Sequence, residues 1–79
     1  MRNFEKEVNI VVSAAKECAP NVTVDRLEEK QYEIHANDET IYLNPLKEVY
    51  GVHDETADDG IILFTNYEQA MGEFIKRIR

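Results

Sequence analysis

The chain has no tryptophan, one cysteine, one serine, two prolines and three scattered glycines in 79 residues, and no long apolar run. Each scarcity removes a class of function. Cys18 alone can neither close an internal disulfide nor build a cysteine-based zinc cluster, which suits a reducing compartment. Ser13 falls within a helical pattern, away from the strained strand-to-helix turn that presents a serine nucleophile. Gly51, Gly60 and Gly72 are too far apart to form a loop that cradles phosphate. No stretch nears the ~20 apolar residues of a membrane span. Glu5, Lys6 and Glu7 interrupt the N-terminus, and the apolar residues 10–12 are too few for the core of an export signal. These absences predict a soluble, cytoplasmic protein, in which the glycosylation pattern Asn21-Val22-Thr23 goes unused.

Acidity is what the chain has in excess. Its net charge is −7, unevenly placed. Residues 1–20 balance, residues 66–79 carry one excess positive charge, and residues 21–65 set eleven acids against three bases for a local charge of −8. Such a field repels nucleic acid backbones and anionic membranes and attracts basic protein surfaces.

A coarse pass finds a helix first. Phe4, Val8, Val11, Ala15 and Cys18 follow steps of four, three, four and three, with Asn3 as N-cap and Pro20 as stop. Three alternating runs then read as strands at 22–25, 31–36 and 40–43, with Tyr32, Ile34 and Ala36 on one face and turns at 27–30 and 37–38. Asn44-Pro45 predicts a helical turn carrying Leu46, Val49 and Tyr50 inward and ending at Gly51. The rival reading makes 48–53 a strand paired with 61–64. The unbroken run Ile61-Ile62-Leu63-Phe64 suits a strand buried on both faces, or a connection plugging the core. Tyr67, Ala70, Met71, Phe74, Ile75 and Ile78 form a broad helical stripe, with Thr65 or Asn66 as cap and Gly72 expected to pack closely against the sheet. The fold class is α+β: a two-layer sandwich in which an antiparallel sheet of three to four strands carries both terminal helices on one face. The element order is shared with double-stranded RNA-binding domains. Those domains need lysines where this last helix opens with Asn66, Tyr67 and Glu68, so no family is assigned.

Chemistry finds little to work with. Counting back from Gly60 places Ala57 where a calcium-binding EF-hand loop needs an oxygen ligand, and Asn66 where it needs a closing glutamate. His35 and His53 lack a third nitrogen or sulfur donor for a transition metal, because the helical period places Cys18 in the core. No catalytic residue, cofactor or metal ligand is assigned, and the chain is expected not to be an enzyme. The expected binding residues are Asp25, Glu33, His35 and Tyr42 on the polar face of the sheet, with Asp54, Glu55, Asp58 and Asp59 in the acidic loop. The expected function is a small interaction module that binds a protein with a basic surface and regulates or inhibits it. Nucleic-acid mimicry, or a phage or immunity-type inhibitor, is its sharper form. It would bind neither nucleic acid nor membrane. The alternatives are a structural component acting as a homodimer, and a weak divalent-metal-binding protein or enzyme.

Overall fold

The structure, a computed structural model, describes residues 4–27 and 30–79. Helix α1 (Phe4–Lys16) is followed by strands β1 (Val22–Arg26), β2 (Tyr32–Ala36), β3 (Glu39–Asn44), β4 (Val49–His53) and β5 (Ile61–Phe64), then helix α2 (Tyr67–Ile78). All five strands pair with their sequence neighbours, antiparallel throughout, in the spatial order β1-β2-β3-β4-β5. This α+β meander has more strands than the three or four expected. Neither helix is long and apolar enough to cross a membrane. The expected N-cap Asn3, the side chain of Phe4, and Glu28 and Glu29 of the turn at 27–30 lie outside the described residues.

Two expectations about the strands are corrected. The segment expected as a helical turn contains strand β4. Asn44-Pro45 does start a turn: Asn44 Oδ1 accepts the Lys47 amide at 3.2 Å and the Pro45 carbonyl accepts the Glu48 amide. It lasts one turn only, because Glu48 adopts a left-handed φ of 55° and sends the chain back along β3. From there alternation governs: Tyr50 and Val52 are buried, while Leu46 and Val49, expected inward, are exposed. The second correction concerns β5. It is an edge strand with one open face and Leu63 is 65% exposed, so it is not buried on both sides. A run of four apolar residues has no polar member to reveal which side faces water.

The core lies between the helices and one face of the sheet. Val8, Val11 and Ala15 of α1 and Ala70, Phe74 and Ile78 of α2 are buried against Tyr32, Ile34, Ile41, Leu43, Tyr50 and Val52. Helix α1 covers β1 and β2, and α2 covers β3, β4 and β5. Its N-cap is Asn66, whose side chain accepts the Glu68 and Gln69 amides at 2.7 and 3.3 Å. The β2–β3 connection is a two-residue turn in which Asn37 and Asp38 both have positive φ, 47° and 65°, the geometry that matches strand twist. Asn37 Nδ2 also donates to the Ile78 carbonyl at 2.8 Å, pinning this turn to the end of α2.

Polar tips at the layer boundary fix α1 in place. Tyr32 and Tyr50 bury their rings in the core, and their hydroxyls donate to Glu5 and Glu7 in the first turn of α1 at 3.1–3.2 Å. The Arg26 guanidinium donates twice to Glu5, at 3.2 and 3.3 Å, and holds that carboxyl below its ordinary range. Burial, aided by the Glu5 charge, pushes the Tyr32 hydroxyl up.

Gly72 does not pack against the sheet as expected. It is exposed, and a methyl group there would meet nothing within 4 Å. A glycine so placed costs helix propensity without a packing return. Gly72→Ala is therefore expected to stabilise the fold by about 0.5–1 kcal/mol in chemical denaturation. Phe74→Ala, at a fully buried site, is expected to remove about 3–5 kcal/mol, a large share of the roughly 4–12 kcal/mol available to a chain of this size. A destabilising Gly72→Ala or a neutral Phe74→Ala would contradict this packing.

Candidate functional site

With both helices on one side, the other side of the sheet is open. Strand register decides which residues meet there. Asp25 lies opposite Glu33, Glu33 opposite Tyr42, Tyr42 opposite Gly51, and Gly51 opposite Leu63, so one row crosses all five strands. A second row brings Thr23, His35 and Thr40 together. The face is divided chemically. Its β1–β2 half is acidic around His35, and its β4–β5 half is apolar around Gly51.

His35 is the hub of the acidic half. Its Nε2 is 3.1 Å from Asp25 Oδ2 and 3.4 Å from Glu33 Oε1, while Nδ1 is 3.0 Å from Thr40 Oγ1. With a proton on Nε2, the ring donates toward the carboxylates and Nδ1 accepts the threonine hydroxyl. Glu33 and His35 are half-buried and Asp25 is exposed, so the cluster opens to solvent on the β1 side.

The apolar half contains a slot of about 110 Å³ over Gly51, lined by Leu27, Tyr42, Val49, Ile61 and Leu63. The missing side chain at position 51 makes room for it. A Cβ there would come within 2.4 Å of Ile61 Cδ1, so Ile61 leans across the glycine and floors the slot. Leu27, Val49 and Leu63 are 48%, 43% and 65% exposed and all border this slot, which Gln31 and Asn44 also line.

The acidic loop between β4 and β5 is less free than expected. Its backbone is closed by bonds from the Asp54 amide to the Gly60 carbonyl, the Ala57 amide to the Asp54 carbonyl and the Gly60 amide to the Ala57 carbonyl. Asp54 accepts from the Thr56 hydroxyl at 2.6 Å, from the Thr56 amide at 2.8 Å and from Arg77 Nη2 at 2.9 Å. Arg77 in turn binds Glu73 at 2.8 Å, so the loop is tied to the last turn of α2. The Thr56 hydrogen bonds, reinforced by Arg77, hold the Asp54 carboxyl below its ordinary 3.8, at about 2.

The expected binding residues therefore fall into two sets. Asp25, Glu33, His35 and Tyr42 share the open face. Asp54, Glu55, Asp58 and Asp59 sit beyond it in the loop; Asp54 and Glu55 line a polar cleft with Asp38, Glu39, His53 and Arg77, beside the β2–β3 turn. Asp54 is engaged in holding the loop, whereas Glu55, Asp58 and Asp59 are exposed. Two features escaped the sequence reading. One is the apolar slot: the sequence predicts Gly51 as a helix stop and carries no sign that Leu27, Val49 and Leu63 border one slot. The other is the convergence of Asp25 and Glu33 on one histidine: the three are expected together on the polar face, but not as a contacting cluster. The Glu33-x-His35 spacing within one strand was a usable signal, but Asp25 joins only through the β1–β2 register. Comparison of the chain with models of known protein families, with curated proteins and with solved structures finds no match in any of the three.

The Asp54 ties generate a pH prediction. Because its carboxyl is depressed in the folded protein, the stabilisation is fully present above the ordinary 3.8 and is lost as pH falls through about 2. Asp54→Asn is expected to lower the melting temperature at pH 7 and to converge with the unchanged protein near pH 2. Equal melting temperatures at pH 7 would show that the ties contribute nothing.

Proposed function

We propose that this protein is a non-enzymatic interaction module whose open sheet face binds a basic protein partner. The observation that supports this reading is the division of one solvent-facing sheet surface into an acidic half and an apolar slot. An ordinary solvated sheet face has neither an apolar slot bordered in this way nor a floor vacated by glycine. Apolar anchors that fill pockets supply most of the affinity of protein interfaces, and surrounding charges supply orientation and encounter rate. Neighbouring strands lie about 4.8 Å apart, so Gly51 and Glu33, two strands apart, are separated by about 10 Å. The matching partner offers an apolar side chain for the slot with an arginine or lysine about 10 Å away. Glu55, Asp58 and Asp59 extend the negative field and accelerate capture without contributing to the chemistry of the site.

Regulation or inhibition of the partner is the form of action proposed, because the open sheet face offers a surface with which to occlude another protein. Mimicry of nucleic acid is a special case. It applies if the captured partner is itself a nucleic-acid-binding protein and duplex DNA displaces it.

Immobilised protein is expected to capture a basic partner from its native host at about 50 mM salt and to release it near 300 mM, as screening shortens the field. Leu63→Glu is expected to abolish capture while leaving the melting temperature within a few degrees, since Leu63 is outside the core. Capture that ignores both salt and Leu63→Glu would reject this face as the binding surface. Self-capture at high concentration, seen as a dimer in sedimentation, would replace the basic partner with a second copy of the chain.

A further inference from the structure

We infer that Asp25, Glu33 and His35 form a binding site for a divalent first-row transition ion of the zinc class, with Thr40 orienting the histidine. Among the described residues these three are a group whose ligand atoms all lie within 4.8 Å of one another. The two distances from His35 to the carboxylates fit a shared ion. Zinc bonds to nitrogen and carboxylate oxygen are about 2.0–2.1 Å, so two ligands of a tetrahedral ion stand about 3.3 Å apart. His35 Nε2 is 3.1 Å from Asp25 Oδ2 and 3.4 Å from Glu33 Oε1, close to that tetrahedral edge on both sides.

The protonation chemistry closes without net change for a neutral ring. Binding needs the Nε2 lone pair, so the imidazole proton must reside on Nδ1. Thr40 Oγ1 stands 3.0 Å from Nδ1 and, being a hydroxyl, can accept that proton's hydrogen bond as readily as it donates to the bare nitrogen. A ligating histidine held through its other nitrogen in this way is the usual support of a metal site. Two carboxylates balance the charge of a divalent ion. The imidazole selects zinc, cobalt or nickel over calcium and magnesium, which take oxygen ligands. Two adjacent strands hold the three ligands, so sheet register, not loop order, sets their spacing. Three protein ligands leave a fourth position open on the solvent side, where Asp25 is exposed.

The site shares Asp25 and Glu33 with the proposed partner face, but it is tested on the isolated full chain, so its failure is distinguishable from failure of that reading. Zinc is titrated in chelator-free buffer while the His35 ring nitrogens are followed by NMR and the melting temperature is recorded. Cobalt serves as a second probe through its visible absorption. The expected result is one saturable site, a shift at His35 Nε2, a protonated Nδ1 and a tetrahedral or five-coordinate cobalt spectrum. His35→Gln is expected to weaken zinc binding by about 100-fold or more, Thr40→Val by about 10–100-fold, and His53→Gln not at all. Asp25→Asn, at an exposed position, is expected to weaken it without disturbing the fold. Absence of saturable binding below about 1 mM, binding indifferent to His35→Gln, or equal affinity for calcium would each overturn the site, the last by reducing it to attraction between a cation and carboxylates.

Discussion

The molecule depends on one constraint: a sheet alternates its side chains between two faces, and this chain has helices enough to cover only one of them. Tyr32, Ile34, Ile41, Leu43, Tyr50 and Val52 point toward α1 and α2 and disappear from solvent. Their sequence neighbours must then point the other way. Everything of functional interest on the sheet, from His35 to the slot over Gly51, is the obligatory reverse of the core. The tyrosines join the two layers at their margin. They bury rings with the core and hand their hydroxyls to Glu5 and Glu7, so two acids of the N-terminal helix serve architecture and not the external field.

Negative charge is accordingly not one surface but several, each with its own neighbours. Glu5 is matched by Arg26, which lowers its carboxyl pKa, and Asp54 is matched by Arg77, though the Thr56 hydrogen bonds do most to hold the Asp54 carboxyl below its ordinary range. Asp25 and Glu33 meet a histidine. Glu55, Asp58 and Asp59 face water on a loop whose ends are hydrogen-bonded. A count of acids in the middle of the chain predicts a field but not this division of labour. The division matters, because only charges without a fixed internal counter-charge remain for an external one.

How much could be read in advance follows from the same physics. Helix α2 was legible because six apolar residues keep the helical period and Asn66 caps it. Strand β2 was legible because Tyr32, Glu33, Ile34, His35 and Ala36 alternate strictly, which also assigned His35 and Glu33 to the outer face. Strand β5 was legible only as an apolar run, strand or core-plugging connection, since Ile61-Ile62-Leu63-Phe64 has no polar residue to mark a side. The Asn44-Pro45 pair gave a true signal for a turn and a false one for its length, because only the backbone of Glu48 records that the chain reverses. The cluster on His35 and the slot over Gly51 are properties of register. Glu33 and His35 share a strand, but Asp25 joins them, and the residues around Gly51 meet, only through strand pairing, which no local pattern carries.

The central claim is that one face of the sheet is sealed and the other displayed. Methyl NMR with a soluble paramagnetic relaxation agent tests it directly. The account predicts strong broadening of the Leu27, Val49 and Leu63 methyls with Ile34, Ile41 and Val52 untouched. Uniform protection of both sets, or broadening of Ile34 and Ile41, would contradict it and remove the open face on which the proposed binding rests.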